Sequence, residues 1–274
     1  MSLAESFSRA AESLADFLGR KRGLHRKRHQ THLQPAVKSV KAIMAGYFRR
    51  QGAALLVAIE PHLRLQIAKF KEASDTGKSF AASVLPDSLS PLRFAITAGE
   101  SVAYQQALTA AIEGAAATLT EEMNLGTIAT PTVASEYLAV NSLSKLTGEI
   151  SNATKDKLRS AIADAWDAGG SYTQVVDAIK ATVEEFSDVR AGMIAQNEVN
   201  DAYNAGRTAT ARAAGLSEKS WETESGNPCP TCTGNEDDGW IGMDDSFSSG
   251  DDAPTAHVNC QCILNFRGTF DADS

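Results

Sequence analysis

A mainly helical protein that ends in a small α+β module is what this sequence predicts, and three observations carry the prediction. Up to Gly215, apolar side chains recur at three- and four-residue spacing and nowhere alternate with period two over any length. Beyond Gly215 the texture changes to Gly, Asp, Ser, Cys and Pro, with two short runs of strand character. All four cysteines lie in that last stretch. An extended helical N-terminal portion is therefore expected to carry a Cys/His-rich C-terminal cap.

The elements follow in order. Residues 4–18 place Phe7, Ala11, Leu14, Phe17 and Leu18 on one helical stripe. The segment 19–34, rich in Gly, Lys, Arg and His, reads as an exposed basic arm. Residues 35–59 open with Pro35 in a first helical turn and continue with Val37, Val40, Ile43, Met44, Tyr47 and Phe48. Pro61 should kink that helix or begin the next, which runs to about Ala73. A polar stretch, 74–91, precedes an Ala-rich helix over 91–124. The Gly126–Pro131 turn is the expected boundary, dividing the chain into 1–130 and 131–274.

Shorter helices are expected next, at 132–147, at 152–168 with Gly169-Gly170 as its stop, and at 172–186 behind Ser171 as N-cap. A further helix, 187–214, opens at Ser187-Asp188 and stops at Gly215. The strand candidates are 218–224 and 260–267, inside a Cys/His module spanning 217–267. An acidic, Gly-rich loop should join the two halves of that module.

Composition narrows the function classes. Among 274 residues, 43% are apolar and 22% charged, which excludes a collagen-like or wholly disordered chain. The net charge of −8 argues against a generic nucleic-acid binder. That average conceals an asymmetry: from Ser217 onward there are 12 acidic and 2 basic residues. By contrast, Arg20, Lys21, Arg22, Arg26, Lys27 and Arg28 lie together with no acid among them, a set able to neutralise several phosphates. No run reaches the ~18 apolar residues of a membrane span. Glu5 and Asp16 interrupt any secretory leader, so a soluble protein assembled in a reducing cytoplasm, with no membrane partner, is expected.

Chemistry concentrates at the cysteines. Cys229-Pro-Thr-Cys232 is a knuckle that can aim two thiolates at one tetrahedral ion, and His257-x-x-Cys260 supplies two more donors. Cys262 makes a fifth, for four positions. Cys229, Cys232, His257 and Cys260 are the first choice, with Cys262 able to replace His257 or Cys260, and structural zinc is the expected metal. Two disulfides, in any of three connectivities, or plain free thiols are the alternatives. A thioredoxin-like pair would need a strand before the motif and a helix after it, where a loop is expected. A zinc nucleobase deaminase would need a His-x-Glu, and His25, His29, His32 and His62 provide none.

Two further features stand out. The middle of the 187–214 helix is unusually polar (Gln196, Asn197, Glu198, Asn200, Asp201), which suits either a buried pair joining Arg190 to Glu198 or a solvated face. Trp166, Trp221 and Trp240 read as core or lid residues. Catalytic function is not expected, since no nucleophile–base set converges. The readings from other classes are a zinc module binding nucleic acid and a metal-dependent hydrolase using Glu222, Glu224 or Glu236 as base.

The order of features in the last third resembles the phage Mu F-like head morphogenesis family of minor head proteins. The resemblance rests on Arg190-x-x-Met193-Ile194-Ala195-x-x-Glu198, Ala202, Asn204-x-Gly206-Arg207, Gly215 and Lys219-x-Trp221. It continues through Cys229-x-x-Cys232, Phe247, Pro254 and His257-x-Asn259-Cys260-x-Cys262, covering roughly residues 150–266. It departs at Gln196-Asn197-Glu198, where the family usually shows Arg or a similar residue followed by Thr-Glu, and at Gln261, where Arg is usual. The resemblance implies a structural protein of a tailed phage, present in few copies inside the head near the portal vertex. It implies a role in head assembly, the portal protein as partner, possible contacts with major capsid or scaffold protein, and contact with packaged DNA during packaging or exit. No catalytic residue is carried over. The helices of residues 1–130 are expected to dock on the portal ring, with the basic arm as the DNA contact.

Overall fold

The computed structural model describes residues 3–70, 77–85, 97–125, 131–140, 152–169, 171–224 and 226–268. Its helices are α1 (Leu3–Phe70), α2 (Gly77–Val84), α3 (Ala98–Glu122), α4 (Pro131–Val140), α5 (Asn152–Asp167), α6 (Tyr172–Ala213) and α7 (Pro230–Asp237). Three strands, β1 (Glu218–Glu222), β2 (Trp240–Gly242) and β3 (Ile263–Arg267), form an antiparallel sheet in the order β2-β1-β3. The mainly helical class with a small C-terminal α+β module is therefore observed.

Several boundaries differ from the sequence reading, each for a physical reason. Residues 19–34, expected as an exposed arm, continue α1 without a break. Lys, Arg, Gln and Leu are good helix formers, and Gly19 and Gly23 cost only about 1 kcal/mol each. Pro35, expected in a first helical turn, and Pro61, expected to kink the helix or begin the next, both lie inside α1. Leu55, Ile59, Leu63 and Ile67 are buried along one stripe on both sides of Pro61, and that packing carries the helix through. The predicted break at Ser187 is likewise absent, because α6 spans it. Val175, Ile179, Val183, Ser187, Ala191, Ala195 and Val199 form one buried stripe at i, i+4 spacing, with Ser187 occupying a core position in the middle.

Other ends were set by local signals. Thr97 and Glu100 make a capping box, the Glu100 N–H donating to Thr97 Oγ1 at 3.2 Å and the Thr97 N–H to Glu100 Oε2 at 3.0 Å. Helix α3 therefore starts at Ala98 and not at residue 91, while residues 86–96 lie outside the described residues. Ser171 and Gln174 repeat the device at the start of α6. At the other end Gly215, with φ of +73°, closes a Schellman turn in which the Leu216 N–H donates to the Ala211 carbonyl. Helix α2 lies in the stretch expected to be a polar connection, and its Phe80, Ala81 and Val84 are buried.

Packing groups the chain into two compact units built from discontinuous stretches, whereas the division expected at 130/131 is a linear one. One unit contains residues 1–37, 108–134 and 197–274; the other contains 38–107 and 135–196. The core of the second joins the Leu55–Ile67 stripe to Phe80 and Val84, Leu158 and Ile162, and Val175, Ile179 and Val183. Phe80 stacks on Trp166 with ring centroids 3.9 Å apart, a core role for that tryptophan.

The first unit holds the cysteines. Its core contains Leu119 of α3, Ala211 of α6, Trp221 of β1, Met243, Phe247, Leu264 and Phe266, together with Cys232, Cys260 and Cys262. Trp221 pairs with Leu264 across the sheet and meets Phe247 edge-on at 5.2 Å. Trp240, at the outer strand, lies under the Arg267 guanidinium and remains partly exposed. Gly206 lets α6 approach α3 closely: a Cβ there would lie 2.6 Å from the Ile112 carbonyl oxygen.

Candidate metal centre

The two knuckles foreseen in the sequence are both formed, by different local devices. Cys229 caps α7, with Pro230 in the first helical position, and its Sγ accepts the Cys232 N–H at 3.4 Å. A short helix thus follows the Cys-x-x-Cys motif where an acidic loop was expected, and β1 precedes it. The correction removes the ground on which a thioredoxin-like topology was set aside. Composition hid this helix, because Thr, Gly, Asn and Asp are poor formers and only the cap and the proline mark its start. The second knuckle is a turn in which the Cys260 N–H donates to the His257 carbonyl at 3.1 Å. Asn259 supplies its left-handed residue, at φ of +64°, a conformation that asparagine tolerates well.

These turns bring the five predicted donors into two triads that share Cys232. The donor atoms of Cys229, Cys232 and His257 lie within 4.8 Å of one another, as do those of Cys232, Cys260 and Cys262. Cys232 Sγ is 3.1 Å from His257 Nε2 and 3.8 Å from Cys260 Sγ. Thiolates around a tetrahedral zinc at ~2.3 Å would sit ~3.8 Å apart, so the separation of those two sulfurs fits a shared ion. His257 Nδ1 lies 3.0 Å from the Val258 carbonyl, the contact that leaves Nε2 free as a ligand. All four cysteines are free thiols.

The cluster divides its protons unevenly. The Cys232 N–H on its sulfur lowers the Cys229 thiol, while burial and then the neighbouring Cys260 push Cys232 up to about 12. A hydrogen bond from Cys262 brings Cys260 down to about 6, and the same bond with burial drives Cys262 upward. His257 is raised, chiefly by its contact with the Val258 carbonyl. A bound cation would displace the protons that remain on ligating thiols.

The sequence reading missed what holds the second knuckle. The polar middle of α6 is neither a solvated face nor an Arg190–Glu198 pair. Arg190 lies over the Phe48 ring at 4.7 Å. Asn200 Nδ2 donates to the Cys262 carbonyl at 3.0 Å and to that of Cys260 at 3.4 Å. Asn204 Nδ2 donates to the Cys262 carbonyl at 3.2 Å, and its Oδ1 accepts the Leu264 N–H at 3.0 Å. Arg207 Nε completes the series by donating to the Leu264 carbonyl at 2.9 Å. The side chains of one helix thereby satisfy the free edge of β3 as a fourth strand would. Asn197 Oδ1 accepts the Asn259 N–H at 2.6 Å, and Asp201 Oδ1 accepts the N–H and hydroxyl of Thr255. The signal was present as a three- and four-residue spacing of polar residues.

The remaining candidates stand elsewhere. Glu222 accepts from Asn265, Glu236 accepts from the N–H and hydroxyl of Thr223, and Glu224 is buried. Arg20, Lys21, Arg22, Arg26, Lys27 and Arg28 lie on the α1 backbone, but their side chains are outside the described residues. No described helix is long and apolar enough to cross a membrane.

Residues 156–265 match the family described as phage Mu protein F like protein, an interval running from α5 into β3 and enclosing both knuckles. No curated protein and no solved structure gives a significant match to the chain.

Proposed function

We propose, from the premise that residues 156–265 are a phage Mu F-like segment, that this protein is a structural minor head protein of a tailed phage. The observation that carries the reading is that the matched interval contains the whole Cys/His clasp and the α6 stripe that braces it. In this reading the protein acts in head morphogenesis without catalysing a reaction. It resides inside the capsid near the portal vertex, after assembly in the host cytoplasm. Its long N-terminal helices, within residues 1–130, would dock on the portal protein, with major capsid or scaffold protein as further contacts. The basic stretch Arg20–Arg28 would meet packaged DNA and bear on packaging and ejection.

Zinc is the metal we assign to the clasp. Cys229, Cys232, His257 and Cys260 would hold it, each pair three residues apart on its own turn, with Cys262 as the buried neighbour of Cys260. Zinc supplies a closed four-ligand cross-link and no reacting position, which suits a module whose core is small. The acidic balance of residues 217–274 argues against a phosphate-binding zinc module.

The test is direct. Mass spectrometry of purified virions should find the protein, and cross-linking of assembling heads should join it to the portal. A virion proteome lacking it overturns the assignment. For the metal, the purified wild type should carry about one zinc per chain and Cys229→Ser clearly less; no bound metal in the wild type rejects the centre.

A further inference from the structure

The asparagines of α6 direct most of their hydrogen bonds to backbone groups of the second knuckle and of β3, Asn204 also donating to the Asn200 carbonyl at 3.0 Å. Asn200 and Asn204 are buried, 0% and 1% exposed, and between them they hold the carbonyls of Cys260 and Cys262 and the N–H of Leu264. Asn200 Oδ1 is itself buried without a hydrogen-bond partner among the described residues, so the residue is placed there for its N–H donors. Asn197 holds the N–H of Asn259, the left-handed residue that turns the chain between His257 and Cys260. Each of these contacts lies one peptide from a donor atom of the cluster. Rotating any of those peptides would swing a thiol or the imidazole away from Cys232.

We infer that Asn197, Asn200 and Asn204 are positioning residues of the metal centre, a helix-borne outer shell that presets the His257–Cys260 turn for the ion. The inference rests on the zinc reading above and goes beyond it, since a zinc clasp does not by itself require a helix 60 residues away in sequence to aim its ligands. Stability alone already calls for a partner on each buried carbonyl, so metal affinity is the property that separates a positioning role from a structural one. Outer-shell groups of this kind typically change metal affinity by about 10- to 100-fold when removed.

The full chain is titrated with cobalt(II), followed by its thiolate charge-transfer and ligand-field bands, and with zinc against a chromogenic chelator. Asn200→Ala and Asn204→Ala should each bind about 10- to 100-fold more weakly and show a shifted cobalt spectrum. A merely structural role would lower the unfolding midpoints of the metal-free and loaded forms alike, leaving affinity and spectrum unchanged. Asn197 is the surface check should the buried variants fail to fold. Asn197→Asp keeps the acceptor for Asn259 and should bind as wild type does, whereas Asn197→Ala should bind more weakly. Affinities within twofold of wild type, with unaltered cobalt bands, in Asn197→Ala and in whichever buried variants fold overturn the inference while leaving the metal centre standing. A wild type that binds neither cobalt nor zinc overturns the metal reading and the inference with it.

Discussion

Arg207 and Glu122 form an ion pair almost wholly closed to water, with Nη2 and Oε2 2.9 Å apart and side chains 1% and 11% exposed. Arg207 also donates to the Leu264 carbonyl, so the pair ties the end of α3 to the strand beyond the cysteines. Glu122 lies outside residues 156–265, and the compact unit that holds the clasp therefore includes chain that the family match does not. Removing one partner of a buried pair leaves an uncompensated charge, at a cost of about 3–5 kcal/mol. Glu122→Ala should lose about that much in urea unfolding of the full chain; a change under 1 kcal/mol would show that the pair is not buried in solution.

The approach of α6 to α3 makes a second prediction at glycine. At Gly206 an added Cβ meets the Ile112 carbonyl oxygen at 2.6 Å, a backbone atom that cannot swing aside. Gly206→Ala should destabilise by about 1–3 kcal/mol through overpacking. Gly114, on α3, has open space around its Cα, so Gly114→Ala should instead gain about 0.5–1 kcal/mol of helix propensity. Thermal scans of the two variants should move in opposite directions, and a stabilised Gly206→Ala would refute the close crossing.

These contacts show which parts of the molecule were legible in one dimension. The metal donors were, because each pair sits within a single turn and the spacing of three residues is itself the geometry. Ser171 and Gly215 were legible as helix ends for the same local reason. Ser187 misled, since a good N-cap residue also fits the buried stripe between Val183 and Ala191 once that stripe continues. The asparagines misled more deeply: Asn197 and Asn200 look like a wet face until the second knuckle, about 60 residues away, is laid against them. Helix α7 was hidden because its start depends on the Cys229 cap and Pro230, not on hydrophobic periodicity. Nothing local could have told that Glu122 would partner Arg207.

Asp201 supplies a pH dependence of known sign. Burial raises its pKa above the ordinary 3.8, against the opposing bonds from Thr255. The folded state then holds the proton more tightly than the unfolded chain does, so stability falls as pH rises from the unfolded value through the folded one. The penalty is absent below about the ordinary carboxylate pKa and grows as pH rises through the folded value. Asp201→Asn retains an acceptor for Thr255 and carries no charge. It should be at least as stable as wild type at pH 7, with the difference closing toward pH 4. A variant less stable at pH 7 by more than about 1 kcal/mol would mean that the carboxylate charge is favourable where it stands.

The proton inventory of the cluster sets how metal binding should respond to pH. Zinc requires each thiol ligand as thiolate and the imidazole neutral, so every proton still present on a ligand must leave when the ion enters. Cys232, held up to about 12, keeps its proton throughout the neutral range and must release it on binding. Cys260, held down to about 6, is already largely a thiolate at pH 8 but not at pH 5, and His257, raised above 6.5, gains its proton over the same interval. Affinity should therefore climb at least tenfold per pH unit between pH 7 and 9, the share set by Cys232. As pH falls toward 5 the slope should steepen as first His257 and then Cys260 take up their protons, so that acid strips the metal cooperatively. Zinc competition titrations at five pH values would measure both slopes. An affinity independent of pH from 7 to 9 would mean that Cys232 is not a ligand, which the 3.8 Å separation of its sulfur from that of Cys260 makes the least expected result.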